Sequence, residues 1–260
     1  MSLVELWLDE HAHHDSPVHR WDPRLKLIGL MGLILSFSMA RDLRLLPAML
    51  VIAAALYALC RLPLSFLISR LRAPGVFLLF LVVLLPFSAG RTVVLELGPL
   101  ALRREGCLAA LLIATRFASI LTIGLVLFGT APFVTTVKAM RALGVPALLT
   151  DMTLLAYRYL YETGADLRRM QRAMRLRGFD AHRLVRHTLD SLASLVGSLF
   201  VRSYERSDRV YRAMILRGYG QAVRDDAFRA RAPDIIALGG ALGIGTTLIV
   251  AELLSRGNIW

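Results

Sequence analysis

Five long apolar runs dominate this chain, at residues 25–40, 45–60, 74–89, 107–128 and 235–254. Crossing the hydrocarbon core of a bilayer takes about 20 apolar residues in helix, and the last two runs satisfy that on length alone. The first three are shorter, and beside two full spans they read as members of a tilted, locally thinned bundle. The composition agrees, with 56% hydrophobic residues and a mean hydropathy of +0.58 against a sequence pI of about 10.7. A chain both apolar and basic belongs in a membrane rather than in solution. The expected fold is an all-α polytopic membrane protein with about five transmembrane helices and a second, cytoplasmic part.

Orientation follows from the arginines. More than half of the basic residues lie in 129–233, and others flank the apolar runs at Arg20, Arg24, Lys26, Arg61, Arg70 and Arg72, which places those stretches in the cytoplasm. Arg41, Arg44, Arg91, Arg103 and Arg104 oppose this trend and are outnumbered. The division expected is a cytoplasmic N-terminal segment 1–24, a four-span region 25–128, a cytoplasmic domain 129–233, and a final span with the C-terminus, 234–260, ending outside. The first two dozen residues are polar, so no cleavable signal peptide is expected. Asp22-Pro23 suits a helix start, with Asp22 as cap and Pro23 in the first turn. The outer segment 92–103 alternates around Gly98-Pro99 and suits a short hairpin. Cys60 and Cys107 fall on opposite sides of the membrane in this topology, so they are expected as packing residues rather than a disulfide.

Within the basic block, Leu160, Leu167, Met170 and Met174 recur at helical spacing, as do Leu189, Leu192, Val196 and Leu199, giving two long amphipathic helices. Both end in nearly the same words. Residues 172–179 read Arg-Ala-Met-Arg-Leu-Arg-Gly-Phe and residues 212–219 read Arg-Ala-Met-Ile-Leu-Arg-Gly-Tyr, matching at seven positions when Phe and Tyr count as equivalent. Gly178 and Gly218 suit the left-handed position beyond a helix C-terminus, and Arg177 and Arg217 complement the negative end of the dipole. Capping needs the glycine; it does not need Arg-Ala-Met repeated upstream. The chain presents one surface twice, as a holder of two copies of one partner would. Arg177 and Arg217 could each hold a partner carboxylate in a planar two-bonded fork that Lys could not reproduce, with Met174, Met214, Phe179 and Tyr219 supplying apolar contact around the charge.

These paired helix ends resemble the coupling motifs of T components of energy-coupling factor (ECF) transporters. The opening stretch 9–26, Asp-Glu-His-Ala-His-His-Asp-Ser-Pro-Val-His-Arg-Trp-Asp-Pro-Arg-Leu-Lys, resembles the CbiQ family of cobalt importers. The resemblance covers essentially the whole chain. It implies a bacterial cytoplasmic-membrane scaffold that binds two ABC-type ATPases resembling CbiO, which hold the ATP and Mg. It also implies a neighbouring S component resembling CbiM, which holds Co2+, and a small accessory membrane subunit resembling CbiN. Nickel is the alternative cargo. The family motif is commonly Ala-Arg-Gly, whereas this chain carries Leu176-Arg177-Gly178 and Leu216-Arg217-Gly218.

Catalysis and nucleic-acid binding find little support in the residues. The only lysines, Lys26 and Lys138, follow Leu25 and Val137, so neither belongs to a phosphate loop. Asp225-Asp226 lacks the further acid of a diphosphate-magnesium site, and no nucleophile, base and orienter stand at a recognisable spacing. A membrane-embedded enzyme is thus the weaker alternative, and the positive charge is explained by topology without nucleic acid. His11, His13, His14 and His19 are chemically suitable metal ligands, but a polar N-terminal segment also uses histidines as caps and interface groups. No cofactor or metal site is assigned to this chain. Arg116, midway along the fourth run, needs a partner inside the bilayer, and backbone carbonyls suit it better than a metal cation does.

Overall fold

The computed structural model describes residues 18–61, 63–88, 93–97, 100–179, 186–220, 228 and 230–257. They form eight helices and one hairpin: α1 Pro23–Met39, a 3-10 turn Leu43–Leu45, α2 Leu46–Leu59, α3 Leu64–Ser88, β1 Val93–Leu97, β2 Leu100–Arg103, α4 Arg104–Gly129, α5 Phe133–Ala142, α6 Ala147–Leu176, α7 Arg186–Leu216 and α8 Ala232–Gly257. The hairpin is antiparallel, pairing Leu97 with Leu100 and Glu96 with Ala101, and lies where the alternation around Gly98-Pro99 placed it.

The chain divides into two compact units, with boundaries after 144 and after 227. The division differs from the expected 129–233 at both ends. Lys26 Nζ donates to the Thr130 carbonyl at 3.2 Å, and α5 packs on α1 with Val137 and Ala139 buried, so residues beyond 128 stay with the first unit. A buried ammonium at the end of α4 also answers carbonyls the helix leaves unpaired and favours the negative end of its dipole.

In the first unit the core lies where four helices meet. Leu30, Leu33 and Phe37 of α1, Met49 and Ala53 of α2, Ile123 and Val126 of α4, and Leu248 of α8 are buried together. The α1 start is the expected one: Asp22 accepts from Arg24 N at 2.9 Å and Pro23 occupies the first turn. Helices α1 and α8 run parallel. A Cβ at Gly29 would touch Leu238 and Ala241, one at Gly32 would touch Leu242, and one at Gly245 would meet Ser36 Oγ at 2.7 Å. At the far end of the pair, buried Glu252 Oε2 accepts from both Arg41 N and Asp42 N at 3.0 Å, fastening the turn after α1 to α8.

Among the described residues three helical segments are long and apolar enough to cross a membrane, Leu64–Pro86, Arg104–Gly129 and Ala232–Ser255. Helix α1 has 17 residues, about 25 Å at 1.5 Å per residue, short of the roughly 30 Å hydrocarbon core. The segment Leu43–Leu59 is similarly short. Length alone therefore supplies three spans rather than five. Arg116 donates through Nη1 to the Ser38 carbonyl at 2.7 Å, the backbone tie that its position in α4 calls for. Cys60 and Cys107 are free thiols.

The second unit consists of α6 and α7, 30 and 31 residues long. Both leave apolar side chains exposed, including Leu148, Leu160, Val196, Phe200 and Ile215. A polar tie joins them: Arg206 Nη2 donates to Asp166 Oδ2 at 2.7 Å, with Glu162 Oε2 at 3.7 Å from Nη1. The Asp166 hydrogen bond raises the Arg206 pKa above its already high ordinary value, so the cationic half stays charged at every physiological pH.

Candidate coupling site

The two repeated segments end their helices with the same geometry. In α6 the Phe179 N–H donates to the Met174 carbonyl at 3.1 Å and the Gly178 N–H to the Arg175 carbonyl at 3.0 Å. In α7 the Tyr219 N–H donates to the Met214 carbonyl at 3.0 Å and the Gly218 N–H to the Ile215 carbonyl at 2.9 Å. Gly178 and Gly218 have φ of +83° and +78°. This pair of bonds is the Schellman cap, in which the left-handed residue costs other side chains about 1–2 kcal/mol and costs glycine little.

Capping accounts for more of the repeat than its glycine. Met174 and Phe179, and equally Met214 and Tyr219, occupy the two positions whose side chains pack together in this motif, and all four are half-buried. The leading arginines are likewise held along their own helices: Arg172 Nε donates to the Arg168 carbonyl at 3.4 Å, and Arg212 pairs with Asp208 at 2.9 Å. What the cap does not use is Leu176-Arg177 and Leu216-Arg217. Leu176 is 90% exposed and Leu216 88% exposed, and both arginines point into solvent. An exposed leucine beside an exposed arginine, made twice, is not required by the cap hydrogen bonds.

From sequence the apolar contact falls to the methionines and aromatics, and the leucines stand out only as the residues that replace the family's Ala before Arg-Gly. The signal was present in the phase. Leu176 and Leu216 stand two residues beyond Met174 and Met214, off the stripe that runs down each helix, and yet they repeat. Phe179 and Tyr219 also differ: the Tyr219 hydroxyl donates to Asp151 Oδ2 at 3.3 Å, tying the second tip back to the first turns of α6. Phe179 has no hydroxyl for such a tie, so the tips are alike in backbone and unlike in anchoring.

Of the candidate metal ligands, His11, His13 and His14 lie outside the described residues, as do Asp225 and Asp226. His19 is half-buried just before α1. Among the described residues, no group of three or more His, Cys, Asp or Glu is placed to hold a metal ion. Each tip offers an exposed leucine beside an exposed guanidinium, a combination that suits an apolar recess with an adjoining acceptor.

These features define a polytopic helical membrane protein with a helix end made twice in one geometry. The family model for CbiQ, described as a cobalt transport protein, matches residues 14–227. The chain is 28% identical over 233 residues to the energy-coupling factor transporter transmembrane protein EcfT of Heliobacterium modesticaldum, covering 84% of this chain and 85% of that one. The EcfT of Limosilactobacillus fermentum is 26% identical over 254 residues, 92% of this chain and 95% of the relative. A putative ABC transporter ATP-binding protein of Bifidobacterium longum is 26% identical over 241 residues, 88% of this chain but 31% of that protein. This chain belongs to the CbiQ family of ECF transporter T components, a family of transmembrane subunits that work with ABC ATPases.

Proposed function

We propose that this chain is the T component of an ATP-driven cobalt importer of the bacterial cytoplasmic membrane. It joins two ATPase subunits resembling CbiO to a metal-binding S component resembling CbiM, with an accessory subunit resembling CbiN. The observation that carries this reading is the pair of Leu-Arg-Gly tips with one backbone geometry. Two equal sockets on a dimer of identical ATPases would accept them, and closure of that dimer would draw the ends of α6 and α7 together. The Bifidobacterium relative supports the ATPase assignment, since a stretch like this chain makes up about a third of a protein described as ATP-binding. In this reading ATP and Mg stay with the partners, and Co2+ is cargo held by the S component.

The five-span topology has support in packing. Parallel α1 and α8 start at one end of the bundle, and the Lys26–Thr130 bond brings the end of α4 to that same end. Three crossings by α2, α3 and α4 return the chain to where α1 began, and α8 then leaves again. Arg20, Arg61 and Arg231 gather there, favouring the cytoplasm for that end, and the excess of arginine within 145–227 favours the cytoplasm for that segment on composition alone.

The description of the family model favours cobalt, and the EcfT relatives leave room for other cargo. Proteoliposomes holding this chain with its ATPase and S component should take up radioactive cobalt on ATP addition, with nickel competing if the S component admits both. Uptake of neither metal by an assembled, ATP-hydrolysing complex would refute the cargo assignment while leaving the scaffold role intact.

A further inference from the structure

A groove of about 860 Å3 opens between α1, α2 and α8. Its walls are apolar, built from Leu33, Leu56, Ala237 and Ile244 among others, and its mouth carries Arg20, Arg61 and Arg231. The three arginines share one end of the bundle for a topological reason. Arg20 precedes α1 and Arg231 precedes the parallel α8, while Arg61 follows α2, which runs back from the turn after α1.

Among the described residues lining the groove, the one carboxylate, Asp234, is buried and engaged. Its Oδ2 accepts from the Arg231 N–H at 2.9 Å, and its carbonyl accepts from Trp21 Nε1 at 3.2 Å. Among the described residues no carboxylate forms an ion pair with the Arg61 or Arg231 side chain. Arg61 also has φ of +51°, a left-handed conformation that costs a non-glycine residue about 1–2 kcal/mol. Such outliers cluster where a side chain serves a ligand.

We propose that this groove binds one anionic glycerophospholipid, with an acyl chain along the α1, α2 and α8 walls and the headgroup phosphate between Arg61, Arg231 and Arg20. Apolar walls at membrane depth offer water no hydrogen bonds, so the groove excludes it, and an empty groove would forfeit the dispersion contacts of every wall atom. An acyl chain restores those contacts. Guanidinium groups bind phosphate through paired hydrogen bonds, and basic pockets between transmembrane helices select anionic headgroups. Arg44 and Arg72 do not line this groove and serve as the comparison. A soluble phosphate would use the same arginines but none of the walls.

The test uses the full chain in neutral detergent. Phosphatidylglycerol, phosphatidylcholine and inorganic phosphate are added separately while thermal unfolding and retained lipid are read. Phosphatidylglycerol should raise the unfolding temperature and be retained over phosphatidylcholine. Arg61→Gln with Arg231→Gln should cut that preference roughly 30-fold, at about fivefold per arginine, whereas Arg44→Gln with Arg72→Gln should not. Gly240→Leu keeps the arginines and fills the groove, since a Cβ there meets nothing within 4 Å; it should lower retention of both lipids. Equal retention of the two lipids by the wild-type chain, or an unchanged preference in the Arg61/Arg231 variant, would overturn the proposal. So would a phosphate effect equal to that of phosphatidylglycerol, which would mark an anion site alone. If the double variant does not fold, competition between the two lipids on the wild-type chain decides.

Discussion

Leu176→Ala should separate docking from folding. In the free chain Leu176 is 90% exposed, so truncating it removes almost no packing, and exposed substitutions of this kind stay within about 0.5 kcal/mol. If the side chain enters a recess on an ATPase, burying a leucine from full exposure contributes about 1.5–3 kcal/mol. Taking about 2 kcal/mol as the loss on truncation gives a roughly 30-fold weaker association. Calorimetric titration of the detergent-purified chain with its ATPase measures the affinity, and thermal unfolding of the chain alone measures stability. The unfolding temperature should stay unchanged while the affinity falls, and Leu216→Ala should behave the same way at the second site. An affinity within twofold of wild type would refute it. So would a fall in unfolding temperature as large as the affinity loss, because the leucine would then be packing within its own chain.

Gly178→Ala keeps Leu176 and Arg177 but places a Cβ at φ +83°, costing about 1 kcal/mol; the tip should fray and ATPase affinity fall severalfold, with Gly178→Asn milder because Asn tolerates the left-handed region. Equal affinity for both variants in the same titration would remove the cap from the argument. Gly245→Val would drive a methine carbon to 2.7 Å from Ser36 Oγ, an overpacking worth about 1–3 kcal/mol. The unfolding temperature should drop and Ser36→Gly should partly restore it, whereas an unchanged temperature would mean α1 and α8 are not held that closely.

Much of this architecture could be read from local sequence because its causes are local. Asp22-Pro23 starts a helix, the alternation over 92–103 marks a hairpin, and Arg-Gly ends α6 and α7, each within a few residues. The parallel pairing of α1 with α8 could not be read, since it depends on Gly29, Gly32 and Gly245 meeting across some two hundred residues and leaves no periodic trace. The partner of Arg116 was hidden for the same reason: a backbone carbonyl such as that of Ser38 has no side-chain signature. Residues 129–144 looked cytoplasmic from their composition, and the Lys26–Thr130 bond, joining residues 104 apart, is what binds them to the first unit. At the tips the repeated words were plain, but which of them fold the cap and which face outward emerged from burial. Met174 and Phe179 serve the turn, while Leu176 and Arg177 are left over.

The central claim is that two matched tips hold two ATPases, and native mass spectrometry of the detergent-solubilised complex tests it most directly. Wild-type chain should appear with two ATPase copies. Truncating one member of a buried, hydrogen-bonded charge pair costs about 2–5 kcal/mol, and reversal costs more. Arg177→Glu with Arg217→Glu should therefore leave the chain folded in the membrane and free of ATPase, with either single variant retaining one copy weakly. Two copies bound at wild-type yield to the doubly reversed chain would show that these helix ends are caps and nothing more.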